Sequence, residues 1–283
     1  MAISRAQLLK ELLPGLNALF GMEYARYDDE HSEIYETESS DRSFEEEVKL
    51  SGFDAAPVKD EGSAISYDAG QESFTARYNH ETIAMGFAIT EEAMEDNLYD
   101  SLSARYTKAL ARAMAHTKQV KAVVPLNNGF TAAYQGGDGV NLFTASGDGV
   151  TGGDGHPLVS GGKNSNRPAT AVDLNETSLE AAVIQIGKWT DERGLMIAAR
   201  PQTLVIPPDL QFVATRVMKS ELRPGTADND VNAVRSMGVV PGGTVVNHYL
   251  TDTDAWFLLT DVPNGMKHFN RVALETSMDG DFD

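Results

Sequence analysis

The chain of 283 residues carries 42 acidic against 23 basic residues, which gives a formal net charge of −19, and it has no cysteine. Such acidity argues against direct nucleic-acid binding, because affinity for a phosphate backbone rests on Lys and Arg. The absent thiols exclude disulfides and cysteine-ligated zinc, and no apolar run approaches the about 20 residues that a bilayer-spanning helix needs.

The N-terminus predicts a short helix. Ser4 followed by Gln7 is a capping-box pattern, and Pro14 with Gly15 should end the helix, so we expect it over residues 5–13. An acidic segment with little hydrophobic periodicity follows.

Two long strands are predicted next. Weak alternation over residues 43–53 indicates one strand, and the aromatic and β-branched residues of 72–89 indicate its partner. The stretch between them contains Pro57, Gly62 and Gly70. These strands should form an extended arm that has little to bury by itself.

A long helix is predicted from a cap at Thr90 to about Val124, ending at Pro125. At 1.5 Å per residue it would be about 50 Å long. We interpret the basic residues of this helix as its solvent-exposed face. The predicted buried face consists of apolar residues four apart: Met94, Leu98, Leu102, Tyr106, Leu110 and Met114.

The C-terminal half alternates helix and strand, which predicts a compact α/β domain. The elements are a helix over 174–192 capped at Asp173, a strand over 203–206, a helix from Asp209 that ends at Pro224, strands over 237–249 and 255–260, and a last strand over 267–276.

The segment 136–162 contains GGDG twice. The first copy nearly fits a calcium-binding nonapeptide, but Asn141 stands where Asp is required, and such motifs work as tandem repeats. Residues 147–152 spell G-x-G-x-x-G, yet no helix can start behind them to hold a dinucleotide. We therefore interpret the segment as a loop that turns often, with Phe143 and Leu158 holding its two ends to the core.

No catalytic, cofactor-binding or metal-binding residue is predicted. The six histidines lack ligand spacing. His80 and Glu81 should point to opposite faces of a strand, and Asp252 with Asp254 suits a turn.

Four stretches resemble tailed-phage major capsid proteins, in particular the Mu-type major head subunits. They are 82–99 (TIAMGFAIT running into MEDNLY), 142–162 (LFTAS, then HPL before two glycines), 203–230 (TLVIPP with SELRPGTADND) and 249–258 (YLTD with AWFL). The third is the most specific. Together they cover most of the chain from about residue 50.

The resemblance implies an α+β Hong Kong 97-type capsid fold. It implies an N-terminal arm (1–42), an extended β-hairpin E-loop (43–89), a P-domain with the long spine helix (90–129 and 263–283), and an α/β A-domain (130–262) that contains the Gly-rich loop 136–162. Two departures stand out: residues 147–155 look inserted before His156, and the chain stops at Asp283, so it is either truncated or its closing strands are shortened.

The function implied is a structural, non-enzymatic subunit of an icosahedral phage head. It would self-assemble into hexamers and pentamers in the host bacterial cytoplasm and enclose double-stranded DNA without sequence-specific binding. Its location would be the virion capsid, with no cofactor and no membrane, and with scaffolding, portal or decoration proteins as further partners. The alternatives are a cellular nanocompartment shell of the same fold and a calcium-binding module.

Overall fold

The computed structural model describes residues 5–89, 99–147, 153–223 and 230–277. Its α-helices are α1 (Arg5–Tyr24), α2 (Tyr99–Asn128), α3 (Glu176–Gly187), α4 (Gln211–Lys219) and α5 (Ala233–Met237). Its strands are β1 (Glu36–Ser39), β2 (Phe44–Leu50), β3 (Glu72–Asn79), β4 (His156–Pro157), β5 (Lys163–Asn164), β6 (Pro201–Ile206), β7 (Thr244–Val246), β8 (Phe257–Thr260) and β9 (Lys267–Asn270). Within these ranges, no helix is both long and apolar enough to span a membrane.

A three-stranded sheet in the order β7-β6-β8 forms the centre of the body, which we define as this sheet with helices α3 to α5. The middle strand β6 runs parallel to β7 and antiparallel to β8. Leu204, Val205 and Ile206 are fully buried there, at 0% exposure. The predicted strand over 203–206 is confirmed, since a short apolar run rich in β-branched residues before two prolines favours a buried strand.

Helices α3, α4 and α5 pack against this sheet through Leu179, Val217 and Val234. The predicted bounds of 174–192 for the first are wrong, and so is the cap at Asp173. Asn175 caps α3 by accepting from the Ser178 amide at 2.9 Å, while the Ser178 hydroxyl accepts from the Asn175 amide. These reciprocal bonds satisfy both free amides, so the helix begins later than predicted.

Two further element predictions in the body need correction. The helix expected from Asp209 is a 3₁₀ turn (Pro208–Leu210) followed by α4, which ends at Lys219; the predicted end at Pro224 lies outside the described residues. The strand expected over 237–249 is only β7, because Gly238 adopts a left-handed φ of 59° and ends the short helix α5. Helix α5 was not predicted from the sequence.

Prolines were expected to end the first two helices, and both expectations are wrong. α1 continues through Pro14 to Tyr24 and packs along α2, burying Phe20 to 5% exposure. α2 continues through Pro125 to Asn128, which allows Leu126 to reach the main core. In both cases the packing of residues after the proline outweighs its local cost of about 3 kcal/mol. The predicted caps Ser4 and Thr90 lie outside the described residues.

The arm, residues 43–89, contains the antiparallel pair β2 and β3, with Phe44 opposite Asn79 and Leu50 opposite Glu72. The predicted pairing of these two strands is confirmed. The extension of the second strand to residue 89 is wrong: β2 begins opposite Asn79, so the ladder offers no partner to the residues after it.

β1 and β9 form a separate parallel pair, with Glu36 opposite Lys267. The last strand ends at Asn270, and not at residue 276 as predicted, because its partner β1 ends at Ser39, opposite Asn270. This pair joins the N-terminal segment to the C-terminal one.

Candidate assembly surfaces

The arm exposes large apolar side chains that a stable monomer would cover. Val58 and Tyr67 are each 95% exposed, against 0% for Val205 in the body. Single exposed apolar residues are ordinary, but a concentration of them on one projecting element marks an interaction surface. The exposed set is Phe44, Val48, Leu50, Phe53, Val58, Ile65, Tyr67, Tyr78, Met85 and Phe87.

Polar contacts hold the root of the arm to the body. Arg193 donates to the carbonyl oxygens of Gly52 (3.3 Å) and Ala69 (2.8 Å), on the two sides of the hairpin. Lys49 forms an ion pair with the buried carboxylate of Glu192. No pattern in the sequence predicts these contacts, since the partners lie more than 120 positions apart in the chain.

The Gly-rich loop also contacts the arm. A Cβ at Gly137 would lie 2.6 Å from the carbonyl oxygen of Thr75 in β3, which is closer than a side chain tolerates. The first GGDG copy thus lets the loop backbone lie directly on the arm. Phe143 fixes the loop to the core, with ring centroids 4.8 Å from Phe130 and 5.2 Å from Phe257. That part of the loop prediction is confirmed, whereas Leu158 is half-buried and joins no apolar cluster of the described residues.

The aspartates of the two GGDG copies contact a histidine and a lysine of the same chain. Asp138 Oδ2 lies 2.6 Å from His156 Nδ1, and Asp154 pairs with Lys163. Burial raises the pKa of Asp138, but the hydrogen bond and electrostatic attraction of His156, together with the backbone amides that Asp138 accepts from, outweigh burial, so the pKa lies below its usual value. The described residues hold no group of three or more acidic or histidine side chains that could bind a metal ion.

The two acid/base candidates have structural partners. The ring of His80 lies 3.0 Å from the Ser40 hydroxyl, while Glu81 forms an ion pair with Lys121 at 2.7 Å. Asp252 accepts the Asp254 amide at 3.3 Å within the predicted turn. The hydrogen bond between their side chains lowers the pKa of Asp252 and raises that of Asp254.

The buried face of α2 is displaced by one residue from the prediction. Tyr106, expected inside, is 49% exposed, and Leu110 and Met114 are half-buried. Met94 and Leu98 lie outside the described residues, as does the side chain of Leu102. The buried positions are mostly small or polar: Ser103, Thr107, Ala111, Ala115, Gln119 and Val123. Small residues on this face let α1 approach α2 closely. The spacing of apolar residues does not indicate such a contact, and the face was therefore predicted one position away.

One buried polar cluster joins α2, β9 and the N-terminal segment. Gln119 Nε2 donates to Asp29 Oδ1 at 2.9 Å, and Gln119 Oε1 accepts the His31 amide at 3.2 Å. The rings of His31 and His268 meet edge to face, 5.0 Å apart. Burial, with Lys118 nearby, lowers the pKa of both histidines. The surroundings of the two histidines therefore favour the neutral form of each ring.

Comparison with known proteins shows which family the sequence matches. The profile of the family described as "Phage capsid protein" matches residues 73–283. Among proteins with curated descriptions, none matches the sequence. Solved structures with a similar fold include the procapsid of bacteriophage JBD30 (TM-score 0.56, 15% identity, covering 88% of this chain and 100% of that one). The JBD30 capsid is also similar (TM-score 0.54, 15% identity, 77% and 89%).

Proposed function

Because the chain belongs to the phage capsid protein family, it is a structural subunit of a phage head shell, and we propose that it builds this shell with a Hong Kong 97-type fold. Membership of this family implies a structural, non-enzymatic protein located in the virion capsid. A cellular nanocompartment is not favoured by these comparisons.

In the proposed arrangement, residues 1–42 are the N-terminal arm, 43–89 the E-loop, 90–129 with 263–283 the P-domain, and 130–262 the A-domain. The subunits form hexamers and pentamers in the host bacterial cytoplasm and enclose double-stranded DNA. Scaffolding, portal or decoration proteins are further partners. The parallel pair of β1 and β9, with the bond of His31 to Gln119 and the contact of its ring with His268, supports placing these two strands beside the long helix.

The single observation that carries the proposal is the exposed apolar surface of the arm, with Val58 and Tyr67 at 95% exposure. Burial of apolar surface stabilises by roughly 25 cal/mol per Å², so covering these side chains with a neighbour favours assembly. In a closed shell, every subunit has a neighbouring copy that can cover its arm.

Electron microscopy and sedimentation of the full chain test the proposal. We expect closed shells or their capsomers, with assembly aided by about 1 M salt, where the Debye length of about 3 Å screens the repulsion between acidic copies. Removing the tip residues 55–68, while keeping Ala69 for its bond to Arg193, should leave a folded subunit that does not close. A full-length chain that stays monomeric at every concentration and salt would overturn the proposal.

A further inference from the structure

Three basic side chains form a stripe along the solvent side of α2. Arg105, Lys108 and Arg112 are all exposed and follow one another at spacings of three and four residues. This spacing places them on one face of a helix, away from the buried positions Thr107 and Ala111. A rigid helix therefore presents three positive charges together on a strongly acidic chain.

The three stripe residues differ from most other basic residues of the molecule. Within the described ranges, no carboxylate lies within ion-pair distance of Arg105, Lys108 or Arg112. Many of the other basic side chains pair with a carboxylate inside the subunit. These pairs include Lys49–Glu192, Arg77–Glu46, Lys118–Asp29, Lys121–Glu81, Lys163–Asp154, Arg193–Asp54, Arg223–Glu176, Arg235–Glu221 and Lys267–Glu47.

Apolar groups lie beside the stripe. Tyr106 and Phe87, 49% and 41% exposed, contact each other with ring centroids 5.8 Å apart, and Met85, two positions before Phe87, is 63% exposed. A partner that covers this surface must offer carboxylates or phosphates for the cations and apolar area for the rings. A protein surface supplies both, whereas a phosphate backbone supplies only the charge.

We propose that the stripe Arg105–Lys108–Arg112 binds carboxylates on a second copy of this chain. The inference rests on the proposed function, because a shell brings such a copy to each subunit. Two chains with a net charge of −19 repel each other, and a local positive patch facing a negative one offsets that repulsion and fixes the register of the contact.

Charge reversal on the full chain tests the proposal. R105E/K108E/R112E is compared with K188E/R216E/K219E, which makes the same change in net charge at three other exposed basic residues without a carboxylate partner in the described structure. Circular dichroism and thermal melting check that both variants fold. Light scattering then measures the protein concentration at which particles form.

At low salt, the stripe variant should need an about tenfold or higher concentration to assemble than the control variant, as expected when three surface ion pairs between copies are removed together. The gap should narrow near 1 M salt, where charges are screened within about 3 Å. If reversal disturbs folding, the glutamine variants R105Q/K108Q/R112Q and K188Q/R216Q/K219Q should show a smaller shift in the same direction.

Equal assembly of the stripe and control variants at low salt would overturn the proposal. Normal shells that hold less DNA would also overturn it, since they would assign the stripe to the enclosed nucleic acid. If the wild-type chain forms no particles under any of these conditions, the result contradicts the proposed function itself, and with it the role of the stripe.

Discussion

The body and the arm bury their side chains in opposite ways. In the body, β6 lies between two strands and under helices, and Val205 is completely buried. In the arm, β2 has one partner strand and Val48 is 46% exposed. The same residue type in the same backbone conformation is therefore buried within the subunit in one place and exposed in the other, where we propose that a neighbouring copy covers it.

The largest effect should come from placing a charge in each region. Val205→Asp buries an unpaired carboxylate and should cost more than about 3 kcal/mol, so we expect insoluble or unfolded protein. Val48→Asp should change the free energy of unfolding by less than about 1 kcal/mol, because the site is partly solvated, but it should impair particle formation.

Urea unfolding and electron microscopy of both variants separate the two effects. A Val48→Asp subunit that is as unstable as Val205→Asp would place the arm strand in the subunit core and remove the contrast between the two regions.

A smaller effect is expected where the Gly-rich loop contacts the arm. Gly137→Ala would bring a methyl group to 2.6 Å from the Thr75 carbonyl oxygen and should cost about 1–3 kcal/mol, as overpacking does. Gly86→Ala is the matched control, since no atom lies within 4 Å of a Cβ there. Denaturation midpoints compare the two, and equal midpoints would show that the loop does not depend on this close approach.

A gradual effect is expected from pH at the cluster that joins α2 to the two chain ends. His31 and His268 have pKa values below the ordinary 6.5 in the folded chain. As the pH falls below about 6.5, the two histidines of the unfolded chain bind protons that those of the folded chain do not. Their contribution to the free energy of unfolding is therefore fully present above about pH 6.5 and is lost progressively below it. Burial and the charge of Lys118 disfavour a proton on either ring, whereas Asp29 and, for His31, the hydrogen bond with Gln119 favour it.

Urea midpoints at about pH 7.5 and about pH 5.5 measure this decline, in a range where carboxylates stay ionised. The double variant H31N/H268N should lose most of the pH dependence. A wild-type midpoint that does not fall between these pH values would show that the two histidines are not held neutral.

The sequence predicted best what local chemistry decides. The strand at 203–206 and the pairing of the two arm strands follow from β-branched runs and turn residues. What it could not predict depends on contacts between distant segments. Pro14 lies within a helix because later residues pack on α2, the inner face of α2 is set by small residues that meet α1, and Arg193 reaches the arm from far along the chain.

The central claim is that the arm becomes buried only when copies assemble. Hydrogen exchange of residues 43–89, measured in free subunits and in assembled shells, tests it most directly, with β6 as the internal reference. We expect exchange in the arm to slow strongly on assembly, while β6 is protected equally in both forms. Arm amides that exchange equally fast in subunits and shells would contradict the claim.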